Sequence, residues 1–164
     1  MTIEATEALV FFVLTLPICI WVAWNDMKFM KIPNKAVIAL GVIFLIVGLF
    51  LMPITEYGWR LVQLVGVLAI GFVLNIIRAV GAGDAKFAAA AAPFIPSGDG
   101  TLVIYLFAAV LLVAFAVHRI ARNITPLRNL VPEWKSWEVR EFPMGLALGS
   151  TLAFYLLLGA AFGS

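Results

Sequence analysis

Long uninterrupted apolar runs alternate with short polar connections along almost the whole chain. Five runs, at residues 8–24, 36–52, 61–77, 101–117 and 144–162, approach the ~20 residues needed to cross a hydrocarbon core roughly 30 Å thick. Lys, Arg and Trp at their ends complete the slightly short ones. A sixth run, 85–96, is shorter, rich in alanine and interrupted by Pro93 and Pro96. Irregular backbone of that kind is tolerated at membrane depth only where protein or water covers it. The pattern predicts an all-α integral membrane protein, a bundle of six transmembrane helices.

Composition and charge sharpen this. The 164 residues are 64% hydrophobic and 12% charged, a balance that excludes a water-soluble domain and makes the lipid bilayer the surrounding partner. Lys28, Lys31, Lys35, Arg78, Lys86, Arg119, Arg122, Arg128, Lys135 and Arg140 fall in the first, third and fifth connections, and Arg60 alone falls on the other side. Basic residues in short loops favour the cytoplasm, so both termini are expected outside. Deleting the fourth span would export the stretch from Arg119 to Arg140, which argues that this span is a true crossing. The net charge of +2 is accounted for by topology, leaving no support for nucleic-acid binding. Glu4 and Glu7 precede the first run where a signal peptide would be basic, so the first helix is expected to remain. Cys19 is the only cysteine, which excludes an internal disulfide and a cysteine-based zinc site. One domain, 1–164, is expected. Within it, residues 126–140 mix Trp134 and Trp137 with alternating charges, as in a connector along the headgroup boundary. Trp21, Trp24, Tyr57 and Trp59 read as interface anchors, and His118, without a partner motif, as structural.

Candidate chemistry rests on two acids. Asp26 ends the first run and Asp84 opens the fourth, so the predicted topology puts both at the cytoplasmic face. Two carboxyl groups brought close together share a proton, which supplies a general base and a general acid for hydrolysis of an amide by water. By the helix dipole, Asp84 at a helix start suits the base and Asp26 at a helix end suits the acid. Gly81 and Gly83, which flank Ala82 just before Asp84, let the backbone bend and admit a close neighbour. Lys86 reads either as a charge near the site or as topology. Pro33 and Asn34 build the turn into the second helix, and Pro143 and Gly145 start the last one. Nothing calls for a cofactor or a metal. Paired acids also suit a proton- or cation-coupled transporter, and a non-enzymatic assembly factor is a third class. A transporter would want polar groups at mid-membrane, where the helices offer little besides Thr15, Gln63, Asn75 and Thr151.

Three motifs in order resemble one family. Gly81-Ala82-Gly83-Asp84, with Lys86 two residues on, looks like the GxGD signature of the aspartic type IV prepilin peptidases, a pattern shared with presenilin-like and signal-peptide peptidases. Asp26-Met27-Lys28 followed by Lys31-Ile32-Pro33-Asn34 resembles the family's first-aspartate segment. Phe142-Pro143-Met144-Gly145 resembles the Pro-x-Gly start of its last helix. The resemblance implies Asp26 and Asp84 as catalytic residues. It also implies a prepilin substrate, cut after a glycine that ends a short basic leader, at the inner face of the cytoplasmic membrane. Larger bifunctional members carry a long, often cysteine-bearing cytoplasmic loop between the first two helices and also N-methylate the product. Here that connection is short and cysteine-free, so the chain looks like the small peptidase-only type found with tight-adherence (Flp) pili, with no methyltransferase domain.

Overall fold

Proline punctuation and short polar turns cut the apolar runs into seven α-helices: α1 Ala5–Phe29, α2 Asn34–Leu51, α3 Ile54–Ile76, α4 Ala82–Ala91, α5 Gly100–Asn123, α6 Thr125–Leu130 and α7 Met144–Phe162. The computed structural model describes residues 1–164 and contains no strand. Met52, extended before Pro53, ends α2, because the proline ring disfavours helical geometry in the residue before it. Pro33 and Pro143 take the N-cap positions of α2 and α7.

Five helices are long and apolar enough to cross a membrane: α1, α2, α3, α5 (with its leading turn, Ser97–Asn123) and α7. The fourth traverse is built differently. α4 has ten residues, about 15 Å of helix, and is continued by single 3-10 turns at Ala92–Phe94 and Ser97–Asp99. It nevertheless reaches the other end of the bundle, where the Asp99 carboxylate accepts the Thr2 backbone N–H at 2.8 Å. The two termini meet at that same end, the Ser164 hydroxyl donating to the Met1 carbonyl at 3.2 Å.

Between lipid-facing helices, packing replaces the hydrophobic drive, and small residues bring backbones together. The most extensive interface joins α1 and α7; a Cβ at Gly149 would lie 2.9 Å from the Cys19 carbonyl oxygen. Near the termini the core is aromatic, with Phe94 edge-on to Phe11 at 4.8 Å and to Phe44 at 5.5 Å. α5 is peripheral and buries only His118.

Two expectations change. Arg60 is no loop charge: it is 2% exposed, donates to the Pro93 carbonyl at 3.0 Å and pairs with Glu56 at 2.7 Å and Glu7 at 3.4 Å. The cause is the 3-10 turn after α4, which interrupts the helical ladder and leaves carbonyls that need a donor. Nor do Trp134 and Trp137 both anchor in headgroups. Trp137 is buried and stacks on His118 at 5.2 Å, while Trp134 packs edge-on to Trp24 at 5.1 Å. With Lys28 paired to Glu133 and Arg122 donating to the Val139 carbonyl, residues 131–142 form a strap over the ends of α1 and α5.

Candidate active site

Asp26 lies one turn before the end of α1. Met30 closes the helix in the left-handed region, φ 55°, and its N–H returns to the Asp26 carbonyl. The side chain reaches across to α7, where the Gly145 backbone N–H donates to Asp26 Oδ2 at 2.6 Å. That N–H is one of the orphan donors of a helix start, so Asp26 caps α7 from a different helix. A Cβ at position 145 would lie 2.9 Å from the Asp26 Cβ and 3.0 Å from Oδ2, so only glycine lets the two chains meet this closely.

Asp84 is set by the turn between α3 and α4. Arg78, at φ 61°, ends α3 in a Schellman arrangement, with Ala79 N–H bonded to the Leu74 carbonyl and Arg78 N–H to that of Asn75. The Asn75 amide then holds the Val80 carbonyl at 2.9 Å, fixing the chain just before Gly81. Gly81 is the N-cap of α4 and Asp84 its third helical residue, the position from which an acid reaches back to the helix start. The carboxylate folds onto Gly81 so closely that a Cβ there would lie 2.6 Å from Asp84 Oδ2. Gly83 is less constrained: a Cβ would meet Ile32 Cβ at 3.4 Å, ordinary contact.

Both carboxylates line one cavity of about 530 Å³ at the end of the bundle away from the termini, together with Gly81, Gly83, Asn34 and Lys86. Lys86 donates to the Asn34 side chain at 3.4 Å, so it joins α4 to the start of α2 and pairs with neither acid. Lys28 turns outward to Glu133. Pro33, Pro143 and Gly145 lie behind the wall, the prolines starting helices and Gly145 holding Asp26. No ion pair involves Asp26 or Asp84. The two carboxyl groups thus face one cavity with no cation against either to offset like-charge repulsion. The helix-dipole argument for Asp84 as base loses its force, because Asp26, although it stands near the end of α1, also accepts an N–H at the start of α7, so both carboxyl groups face a helix start. Glu141, Phe142 and Met144 also line the cavity, and Asn75 supports it. Phe142 and Met144 fall in the motif that starts the last helix and Asn75 among the few polar residues of the helices, but Glu141 carries no signal in sequence, because its place at the cavity comes from the strap.

The model of the type IV leader peptidase family matches residues 13–117, and the chain belongs to that family. No curated protein and no solved structure matches it.

Proposed function

We propose that this member of the type IV leader peptidase family is an aspartic endopeptidase of the cytoplasmic membrane, cutting Flp-type prepilins after the glycine that ends their short basic leader. The observation that carries this reading is the convergence of Asp26 and Asp84, from the end of one helix and the start of another, on a single cavity. The ionised carboxylate takes a proton from water, and the water oxygen attacks the scissile carbonyl carbon. The protonated carboxyl donates a hydrogen bond to the carbonyl oxygen and then gives its proton to the departing amine. Gly145 keeps Asp26 pointed into the cavity, and the turn at Gly81 does the same for Asp84.

All six traverses cross the bilayer in this reading, with the termini outside and the cavity facing the cytoplasm. The support is the charge asymmetry: of the 11 basic residues, only Arg60 belongs to the terminal end, and it is consumed inside the bundle. Only Met30–Pro33 separates α1 from α2, which leaves no room for a methyltransferase domain.

The test is cleavage of a co-expressed Flp-type prepilin by Asp26→Asn and Asp84→Asn. Each is expected to lose about 10²–10⁴ in rate, the share general acid–base chemistry supplies, while still inserting into the membrane. The wild-type pH profile is expected to be bell-shaped. Full processing by either variant excludes these residues as catalysts.

A further inference from the structure

The strap, residues 131–142, makes one wall of the catalytic cavity, to which it contributes Val139, Glu141 and Phe142. Its ties to the bundle come from α1 and α5. Lys28 of α1 pairs with Glu133, and Trp24 meets Trp134 edge-on at 5.1 Å. From α5, Arg122 donates to the Val139 carbonyl at 2.9 Å and Arg119 to the Arg140 carbonyl at 3.0 Å. His118 of α5 lies flat on Trp137 at 5.2 Å and edge-on to Phe142 at 5.8 Å.

Polar groups beneath this cover are left unmet. His118 is 3% and Ser136 0% exposed, yet neither imidazole nitrogen, nor the Ser136 hydroxyl, nor the buried Trp134 indole N–H has a hydrogen-bond partner. These are four of the five such atoms in the chain, the fifth being the Thr15 hydroxyl, so the shortfall is concentrated at the strap. A buried polar atom without a partner forfeits the bonds it makes in water. The closed strap therefore carries a cost that its release into water removes, while the ion pair and the stacked rings hold it down. A segment balanced in this way opens well short of global unfolding. Phe142 both touches His118 and lines the cavity, so lifting the strap off His118 moves the cavity wall.

We propose that the strap is a movable wall of the catalytic cavity. The Lys28–Glu133 pair and the stacking of Trp137 on His118 latch it shut, and the unmet groups beneath it poise it to swing out and admit a polypeptide to Asp26 and Asp84. The admission of substrate rests on the peptidase reading; the motion itself does not.

Cysteine labelling reads the motion. Ser136→Cys, in a Cys19→Ala background that removes the one native thiol, is reacted with a maleimide in lipid nanodiscs. Glu138→Cys, at an exposed position of the same strap, sets the unhindered rate. His118→Phe keeps a ring on Trp137 and deletes both unmet nitrogens, so it is expected to hold the strap shut and slow labelling at position 136 by about fivefold or more. Lys28→Ala frees Glu133 and is expected to speed it. Unchanged or faster labelling in His118→Phe means that the polar groups give no tendency to open, and overturns the proposal. If that variant does not accumulate, a rate in Lys28→Ala no higher than in the parent overturns it instead. Gating is read by joining Lys28→Cys to Glu133→Cys, in the same Cys19→Ala background, with a short linker that reductant cleaves. Cleavage of a Flp-type prepilin is expected to fall roughly tenfold or more and to return when the linker is cut; full cleavage with the strap joined rules out the gate. If protein without the linker cuts no prepilin, the peptidase reading has failed, and the labelling rates still decide whether the strap moves.

Discussion

The two ends of the bundle handle carboxylates in opposite ways. At the terminal end, Glu7 and Glu56 converge on the buried Arg60 guanidinium, and Asp99 accepts the backbone N–H groups of Thr2 and Ile3 and the Tyr155 hydroxyl. These acids are fasteners, tying the start of the chain to α3, α5 and α7. At the other end, Asp26 has one backbone donor, Asp84 leans on Gly81, and both face a cavity with no cation against them. A buried acid is no sign of chemistry in itself. What separates the two kinds is the hydrogen-bonding capacity left facing open space.

Exchanging the fates of the two sets is the harshest test. Asp26→Asn is expected to remove about 10²–10⁴ of cleavage rate with little change in unfolding, because an amide oxygen still accepts the Gly145 N–H. Arg60→Met is expected to do the reverse. It strands Glu7, itself 5% exposed, and costs about 3–5 kcal/mol, read as loss of folded protein in detergent titrations, while cleavage per folded molecule holds. Loss of cleavage in Arg60→Met without loss of stability would break the comparison.

The near end was legible in sequence and the far end was not, for a physical reason. Asp26 and Asp84 sit where apolar runs begin or stop, so the hydropathy pattern exposes them, and the charge asymmetry puts them on one face. Glu7, Arg60 and Asp99 also sit near the ends of apolar runs, but nothing local distinguishes an acid that finds a cation in the fold from one facing headgroups. Arg60 was therefore expected in a loop, and its burial depends on the Pro93 carbonyl, released by a 3-10 turn that the sequence marks only as proline. α4 shows the same limit. Its alanines and prolines announce an irregular traverse, but its ten helical residues and the turns that complete it depend on cover from α3 and α7. The strap misled for a related reason, since Trp137 has the composition of an interface anchor and the location of a packing residue.

The glycines sharpen the contrast within the near end. Gly81→Ala puts a Cβ 2.6 Å from Asp84 Oδ2, and the carboxylate must swing away, since the backbone behind it is held by Asn75. A loss of about 10²-fold in cleavage is expected, the usual scale for an angstrom-sized misplacement. Gly83→Ala meets only ordinary contact with Ile32 and is expected to stay within a few-fold of wild type. Gly145→Ala belongs with Gly81→Ala, because its Cβ lands 3.0 Å from Asp26 Oδ2. If Gly83→Ala is the more damaging of the GxG pair, the glycines serve helix packing and not the placement of the acid.

The smallest effect concerns backbone. Both non-glycine residues with positive φ, Met30 at 55° and Arg78 at 61°, lie at the Asp26 end, each closing the helix that leads into the site. Left-handed geometry costs an L-residue about 1–2 kcal/mol, and such cost gathers where surrounding structure holds a site in place. Arg78 occupies the Schellman position that glycine favours. Arg78→Gly is expected to relieve that cost, less the roughly 0.5–1 kcal/mol by which glycine's freedom favours the unfolded chain, for a net gain of up to ~1 kcal/mol and a rise of a few degrees in Tm. Cleavage should not change, because the Asn75 bond to Val80 fixes the next residues independently of which side chain stands at 78. A drop in cleavage with the rise in Tm would mean that strain at this turn helps to aim Asp84, and would extend the difference between the two ends from side chains to the backbone.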